Sequence, residues 1–305
     1  MAMGEKKGEV SERSSLVVVI GILLFFFIAF FACAGSLYGV LNSAELKTNA
    51  IGVVEIKGEI TSAEETIKTV NAFIEDEEIK GILVRIDSPG GSVSASQEMV
   101  ESIRLIKKPV VISMGDMAAS GGYYVACAGP TIYANPGTLT GSIGVISQVL
   151  ELKDLMEFFK VNVHTIKTGE LKDSGSPFRE FNETDRQYFA AMGMDILEQF
   201  VEHVADARKM KKEDVEKLAT GQVWTGRKAK ELGLIDEIGG MNTALEALKT
   251  KAGIKGKYTL VYPEKTTEEL LESMLTEGAT EVFDGLRTTA ERAVQKTENF
   301  QYLYR

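Results

Sequence analysis

VVISMGDMAASGGYYVACAG, residues 110–129, is the stretch on which the fold turns. A β-branched run (Val110, Val111, Ile112) predicts a buried strand. A small-residue turn from Gly115 to Gly122 follows, with Ser120 at its centre, and Tyr123 to Ala128 predict the first turns of a buried helix. Strand, tight turn and helix is the local geometry that presents a hydroxyl at a helix N-terminus. Ser120 is therefore a candidate nucleophile, set against the plainer reading of a small residue needed for close helix–sheet packing. No G-x-S-x-G elbow is present, which argues against an α/β-hydrolase.

Working outward, the same alternation repeats. Upstream, Ile51–Ile56 and Gly81–Ile86 read as strands, and Glu64–Glu75 carries Ile67, Val70, Phe73 and Ile74 at helical spacing. The turn Asp87–Ser92 leads into a helix from Ser94 to Ile106, and Pro109 closes that unit. Downstream, Thr131–Ala134, Val145–Val149 and Val163–Lys167 read as strands, and Leu152–Phe159 as a helix. A polar loop, Thr168–Asn182, precedes a long amphipathic helix, Thr184–Arg208, with Tyr188, Met192, Ile196, Phe200 and Val204 as its stripe. Shorter helices start at Trp224 and Met241. Strands alternating with helices predict an α/β fold of right-handed β-α-β units around a mostly parallel sheet, as one domain without internal repeats.

The ends of the chain differ in character. Ser14–Ala44 is uncharged, and its most apolar part, Leu16–Ala34, spans 19 residues. As a helix it would measure roughly 28 Å, close to the ~30 Å hydrocarbon core of a bilayer. The division expected is residues 1–15 cytoplasmic, 16–36 a transmembrane helix, 37–50 a linker, 51–263 the globular domain and 264–305 a helical C-terminal extension. A cleaved signal would have a shorter apolar region, and Phe31–Gly35 resembles a lipoprotein box only faintly. Lys6, Lys7 and Arg13 precede the span and only Lys47 closely follows it, so the positive-inside rule places the domain on the extracytoplasmic face of the cell membrane. The first 15 residues carry three basic and three acidic side chains, so the net charge of −10 belongs to the outer part. An acidic surface without basic clusters argues against nucleic acid as a partner.

Chemistry has few places to sit. Ser88-Pro89-Gly90-Gly91-Ser92 lies between a strand and a helix, where two glycines let backbone N–H groups point into a cavity and stabilise an oxyanion. An ordinary strand-to-helix turn explains the same residues. Phosphate-loop patterns are absent, as is transition-metal spacing around His164, His203, Cys33 and Cys127, so no cofactor or metal is expected. His164 sits in a strand pattern and His203 interrupts a helix near its apolar stripe, so neither reads as a catalytic base. A lysine base would have to fall from about 10.4 toward roughly 7–8. Lys172 differs from the other lysines only in its place, in a Gly/Ser loop after a predicted strand, and composition alone would make it an exposed loop residue.

Five motifs change that balance: Asp87–Ser92 (DSPGGS), Ala118–Tyr124 (AASGGYY), Thr140–Val145 (TGSIGV), Lys167–Asp173 (KTGELKD) and Gly233–Gly240 (GLIDEIGG). In this order, behind an N-terminal apolar span, they resemble the signal peptide peptidase A family in its short, single-copy form. The resemblance runs from about Ile51 to Ala252. It implies the fold shared by the Clp protease and crotonase families, built of repeated β-β-α and β-α-β units, and a Ser/Lys dyad without cofactor. By motif, Ser120 would be the nucleophile, Lys172 the general base and Ser142 the hydroxyl that orients the lysine. Gly121 and one glycine of the pair Gly90-Gly91, with Gly91 favoured, would form the oxyanion hole. The implied substrates are apolar signal-peptide remnants, cut by a homo-oligomeric ring, an octamer for the short form, whose neighbouring subunits share the substrate grooves. A related anchored peptidase acting on membrane or misfolded proteins is the alternative, and acyl-CoA chemistry on the same fold is a more distant one.

Overall fold

The computed structural model describes residues 49–263 together with Phe26, Phe27 and Phe30. The expected span and the C-terminal extension therefore lie almost wholly outside the described residues. Among the described residues no helix is long and apolar enough to cross a membrane.

Three long strands form the centre: β1 (Ala50–Ile60), β2 (Ile79–Gly91) and β3 (Val110–Ala119), all parallel. Their side chains alternate between two buried faces, which is why each reads as a nearly continuous apolar run. Odd positions (Ile51, Val53, Leu83, Val111) pack against Ala244, Leu245 and Leu248 of one helix, Met241–Lys251. Even positions (Val54, Ile56, Ile82, Val84, Ile86, Ile112, Met114) join the larger core on the other face. That face is covered by α1 (Glu64–Glu75), α2 (Val93–Arg104), α3 (Gly121–Ala126) and the far half of the long helix Glu183–Arg208. Each fully buried Ile or Leu contributes about 1.5–3 kcal/mol. The helix between β1 and β2 and that between β2 and β3 supply the parallel crossovers the sequence predicts.

Shorter elements complete the sheet. β4 (Ile132–Ala134) and β5 (Leu139–Gly141) both pair in parallel with β3, at its start and at its end. β6 (Val223–Thr225) closes one edge antiparallel to β5, β7 (Glu237–Ile238) pairs with β4, and β8 (Thr259–Val261) pairs with β1. The remaining helices are α4 (Lys153–Phe158), α5 (Glu183–Arg208), α6 (Lys212–Leu218), α7 (Gly226–Glu231) and α8 (Met241–Lys251).

Several expectations need correction. Gly115–Ala119 is not a turn. It continues β3, because Met117, Ala118 and Ala119 find backbone partners on β5. The Asp87–Ser92 turn is likewise strand as far as Gly91, paired with Glu59 and Ile60 of β1. Val145–Val149 and Val163–Lys167 are not strands, since neither has a pairing partner among the described residues. The stripe of α5 is only half buried: Phe200 and Val204 are in the core, whereas Tyr188 and Met192 are exposed.

The Gly233–Gly240 motif acts as a strut. Asp236 accepts from Arg208 Nη2 at 2.7 Å and Nη1 at 2.9 Å, and from the Ile132 N–H at 2.8 Å, tying the end of α5 to β4. Leu234 in turn accepts from the buried Tyr123 hydroxyl at 2.8 Å, which fixes the helix immediately after Ser120.

Candidate active site

β3 and β5 end side by side, and the chain turns the same way at both ends. Ser120 follows Ala119 with φ 51° and ψ −122°, and Ser142 follows Gly141 with φ 51°. The two turns are joined, since the Ser120 N–H donates to the Gly141 carbonyl at 2.8 Å. A non-glycine residue held in such a conformation costs of order 1–3 kcal/mol and persists only where its surroundings enforce it. Ser120 occupies the N-cap of α3, yet its side chain makes no capping hydrogen bond to the helix. A cap serine usually spends its oxygen on the helix; this one leaves it for the space in front.

That space is a cavity of about 110 Å³. Ser120, Gly91, Gly121 and Ser96 line one side, and Val93, Tyr124, Ile146, Ile196 and Phe200 supply apolar wall. Gln97 and Gln199 add a polar edge, with Gln97 Nε2 donating to Gln199 Oε1 at 3.0 Å.

The glycine pair is built for close approach. Gly90 and Gly91 have φ of 102° and 154°, and a Cβ on Gly91 would lie 2.2 Å from the Ile60 carbonyl oxygen. The Gly90 N–H donates to the buried Ser88 hydroxyl at 3.1 Å. Gly91, by contrast, lines the Ser120 cavity, and its nitrogen lies 3.2 Å from where a Cβ on Gly121 would stand. Gly91 and Gly121 are thus neighbours across the mouth of the nucleophile turn.

His203 does not approach Ser120 as a base would. Arg104 Nη2 donates to His203 Nδ1 at 3.1 Å; because guanidinium only donates, Nδ1 is unprotonated, and Nε2–H donates to the Tyr124 carbonyl at 2.8 Å. Burial holds this imidazole below its ordinary value, with Arg104 adding to the effect and the Tyr124 carbonyl opposing it. Its ring packs 4.1 Å from that of Tyr124, behind the cavity wall. Cys127 is buried too, and burial pushes its thiol up to about 12, so it is inert at neutral pH.

Lys172 is elsewhere. It sits on a 3₁₀ turn, Glu170–Asp173, exposed to solvent, and it is not among the residues lining the Ser120 cavity. The structure therefore brings Ser120, Gly91, Gly121 and, through Gly141, Ser142 to one place, while Lys172 stands outside the cavity on an exposed arm that meets it at Ile146. That arm, residues 146–181, carries apolar side chains in the open: Ile166 is 99% exposed, Ile146 80% and Phe158 79%. The cavity walls from α5 and the polar edge at Gln97 and Gln199 escape sequence reading, because nothing in a helical stripe says which cavity it will face.

Comparison with known proteins gives the chain its family. Residues 102–255 match the profile of peptidase family S49, and residues 43–138 match that of the Clp protease family. The chain belongs to peptidase family S49, a serine-protease family, and its α/β sheet is consistent with the Clp protease/crotonase-like fold. It is 38% identical over 215 residues to the chloroplastic serine protease SPPA of Arabidopsis thaliana, covering 69% of this chain and 32% of that protein. It is 39% identical over 207 residues to a Synechocystis protein provisionally named protease slr0021, covering 67% and 75%. It is 34% identical over 239 residues to an Enterococcus faecium protein provisionally named signal peptide peptidase SppA, covering 75% and 70%. The chain thus spans about a third of the chloroplastic relative and most of the other two.

Proposed function

We propose that this protein is a membrane-anchored serine endopeptidase that cleaves signal-peptide remnants with a Ser120/Lys172 dyad. The observation that carries the reading is the strained, non-capping Ser120 beside Gly91 and Gly121 at the mouth of an apolar cavity. Ser120 Oγ attacks the scissile carbonyl while neutral Lys172 Nζ takes its proton, and the N–H groups of Gly91 and Gly121 receive the oxyanion. The lysine then gives that proton to the leaving amine, and water, activated by the same amine, hydrolyses the acyl-enzyme. Ser142, level with Ser120 on the next strand, orients the lysine.

Lys172 reaches the serine from a neighbouring copy in a ring. A dense set of exposed apolar side chains on one arm marks a contact surface, and a base absent from its own cavity gives that contact a chemical purpose. The apolar segment 16–36 anchors the chain, N-terminus inside, and presents the domain to peptides left in the membrane.

Ser120→Ala and Lys172→Ala should each abolish hydrolysis of a detergent-solubilised signal peptide without changing the assembly. Near-full activity of Lys172→Ala at neutral pH would sink the dyad. A panel setting signal peptides against unfolded proteins tests the alternative, an anchored peptidase for membrane or misfolded polypeptides.

A further inference from the structure

The polar edge of the Ser120 cavity is a bridge between two helices. Gln97 stands on α2 and Gln199 on α5, 102 residues apart in sequence, and both line the cavity. Gln97 Nε2 donates to Gln199 Oε1 at 3.0 Å. The direction of that bond is set one turn back on α5, where Gln199 Nε2 donates to Asp195 Oδ2 at 3.0 Å. An ionised carboxylate only accepts, so the Gln199 amino group faces Asp195 and its carbonyl oxygen faces Gln97. Gln97 then has to turn its amino group toward Gln199. It also touches the cavity wall: burial pushes the Tyr124 hydroxyl up, and a hydrogen bond from Gln97 opposes that push.

The two helices do not depend on this bridge for their placement. Met99, Val100 and Ile103 of α2 share one core with Phe200 and Val204 of α5. Arg104 and His203, at 3.1 Å, tie the same helices further along. Gln97 is only half-buried and Gln199 is exposed, so the pair adds a wall to a cavity whose frame is already fixed. The size of the enclosed space follows from that wall. An apolar cavity of about 150 Å³ takes up one benzene ring. About 110 Å³ leaves no room for a phenyl side chain and suits a branched aliphatic one.

We propose that the Gln97–Gln199 bridge, oriented by Asp195, is the specificity-determining wall of this cavity, limiting the side chain on the acyl side of the scissile bond to an aliphatic one and turning aromatic ones away. The inference rests on the reading of Ser120 as the nucleophile. A carbonyl held between Ser120 and the pair Gly91 and Gly121 carries its adjoining side chain to the mouth of the cavity that all three line. In an apolar pocket a single methylene is worth about 10–200-fold in kcat/KM. A wall that excludes a ring is therefore readable in the ratio between two substrates.

The test uses the full-length protein and two fluorogenic peptides that differ only in leucine or phenylalanine at that position. The wild type should favour the leucine peptide about 10-fold or more in kcat/KM. Gln97→Ala and Gln199→Ala should each narrow the ratio about 5-fold or more by raising the phenylalanine value. Asp195→Ala, which frees the Gln199 amide to turn, should narrow it less. Gln187→Ala, on the same helix but bonded to Glu183 and not lining the cavity, should leave the ratio as it was. A wild type without preference overturns the inference, as do bridge variants in which both values fall together and the ratio stays put. Binding gives a second reading that needs no turnover. Labelled forms of the two peptides should bind the Ser120→Ala protein with leucine favoured about 5-fold or more in fluorescence anisotropy. Adding Gln199→Ala should remove that preference, and equal affinities before it is added overturn the inference. Failure of the nucleophile reading looks different: Ser120→Ala would then go on hydrolysing the leucine peptide.

Discussion

The two ends of the proposed dyad sit in opposite environments. Ser120 rises from the centre of the sheet, enclosed by β2, β5 and α3, with its neighbours Ala118 and Ala119 buried. Lys172 lies on an arm whose largest side chains face solvent. A chain folds its own interior, so the serine, its strained backbone and the adjacent glycines are all positioned locally. The arm has no interior of its own. Many of its apolar residues stay exposed, although Phe181 stacks on Phe189 of α5 and Ile146 reaches the cavity wall, and backbone bonds such as Leu152 N–H to the Pro177 carbonyl at 2.6 Å help to order it.

The sharpest way to break this contrast is mutational complementation. Ser120→Ala and Lys172→Ala should each lower kcat by about 10³-fold or more, as for loss of a nucleophile or base in other serine enzymes. Co-assembled from dissociated subunits, the two inactive variants should recover part of the activity, because one chain supplies the serine and the other the lysine. No recovery would place both groups in a single chain.

Next in size is Gly91→Ala. A methyl 2.2 Å from the Ile60 carbonyl forces β1 and β2 apart. If Gly91 N–H is an oxyanion donor, its displacement by this shift should lower activity about 10²–10³-fold. Urea melts should show about 1–3 kcal/mol of destabilisation. On the arm the pattern reverses: Phe158→Glu with Ile166→Glu should leave the stability of the isolated chain within about 0.5 kcal/mol. Sedimentation velocity should instead show the assembly reduced to smaller species, with activity lost in parallel.

The smallest effect concerns His203, behind the cavity. Its folded-state value lies below the ordinary imidazole value, so the unfolded chain binds the proton more readily. Stability is therefore full above about pH 6.5 and declines as pH falls through that value toward the lower folded one. His203→Gln should flatten this slope between about pH 5 and 7 in denaturant titrations, and an unchanged slope would assign it to other groups.

Much of the interior was legible because buried parallel strands announce themselves. Ile51–Ile56, Gly81–Ile86 and Val110–Met114 are all found inside longer strands, and Glu64–Glu75 is a helix with those bounds. The strands ran further than predicted, as small residues at Gly115–Ala119 and Gly90-Gly91 look like turns until a partner strand is known. Val145–Val149 and Val163–Lys167 taught the converse. Apolar alternation reports a face that wants covering, and without a neighbour in the same chain it makes no ladder. The candidate site divides likewise. Ser120 and the glycines were visible as a local pattern, whereas Tyr124, Ile196 and Phe200 entered the cavity wall only through tertiary packing. Arg179, which shares Asp173 with Lys167, lies outside the motif altogether.

β1 has one further consequence. It is the first strand among the described residues, running from Ala50 to Ile60, and Ile60 is the residue against which Gly91 is pressed. Eleven extended residues hold those two points apart, which at about 3.3 Å per residue is roughly 33 Å. The strand is thus a ruler as well as a core element: it fixes how far the glycine seat beside Ser120 stands from the point at Ala50 where the chain joins the sheet.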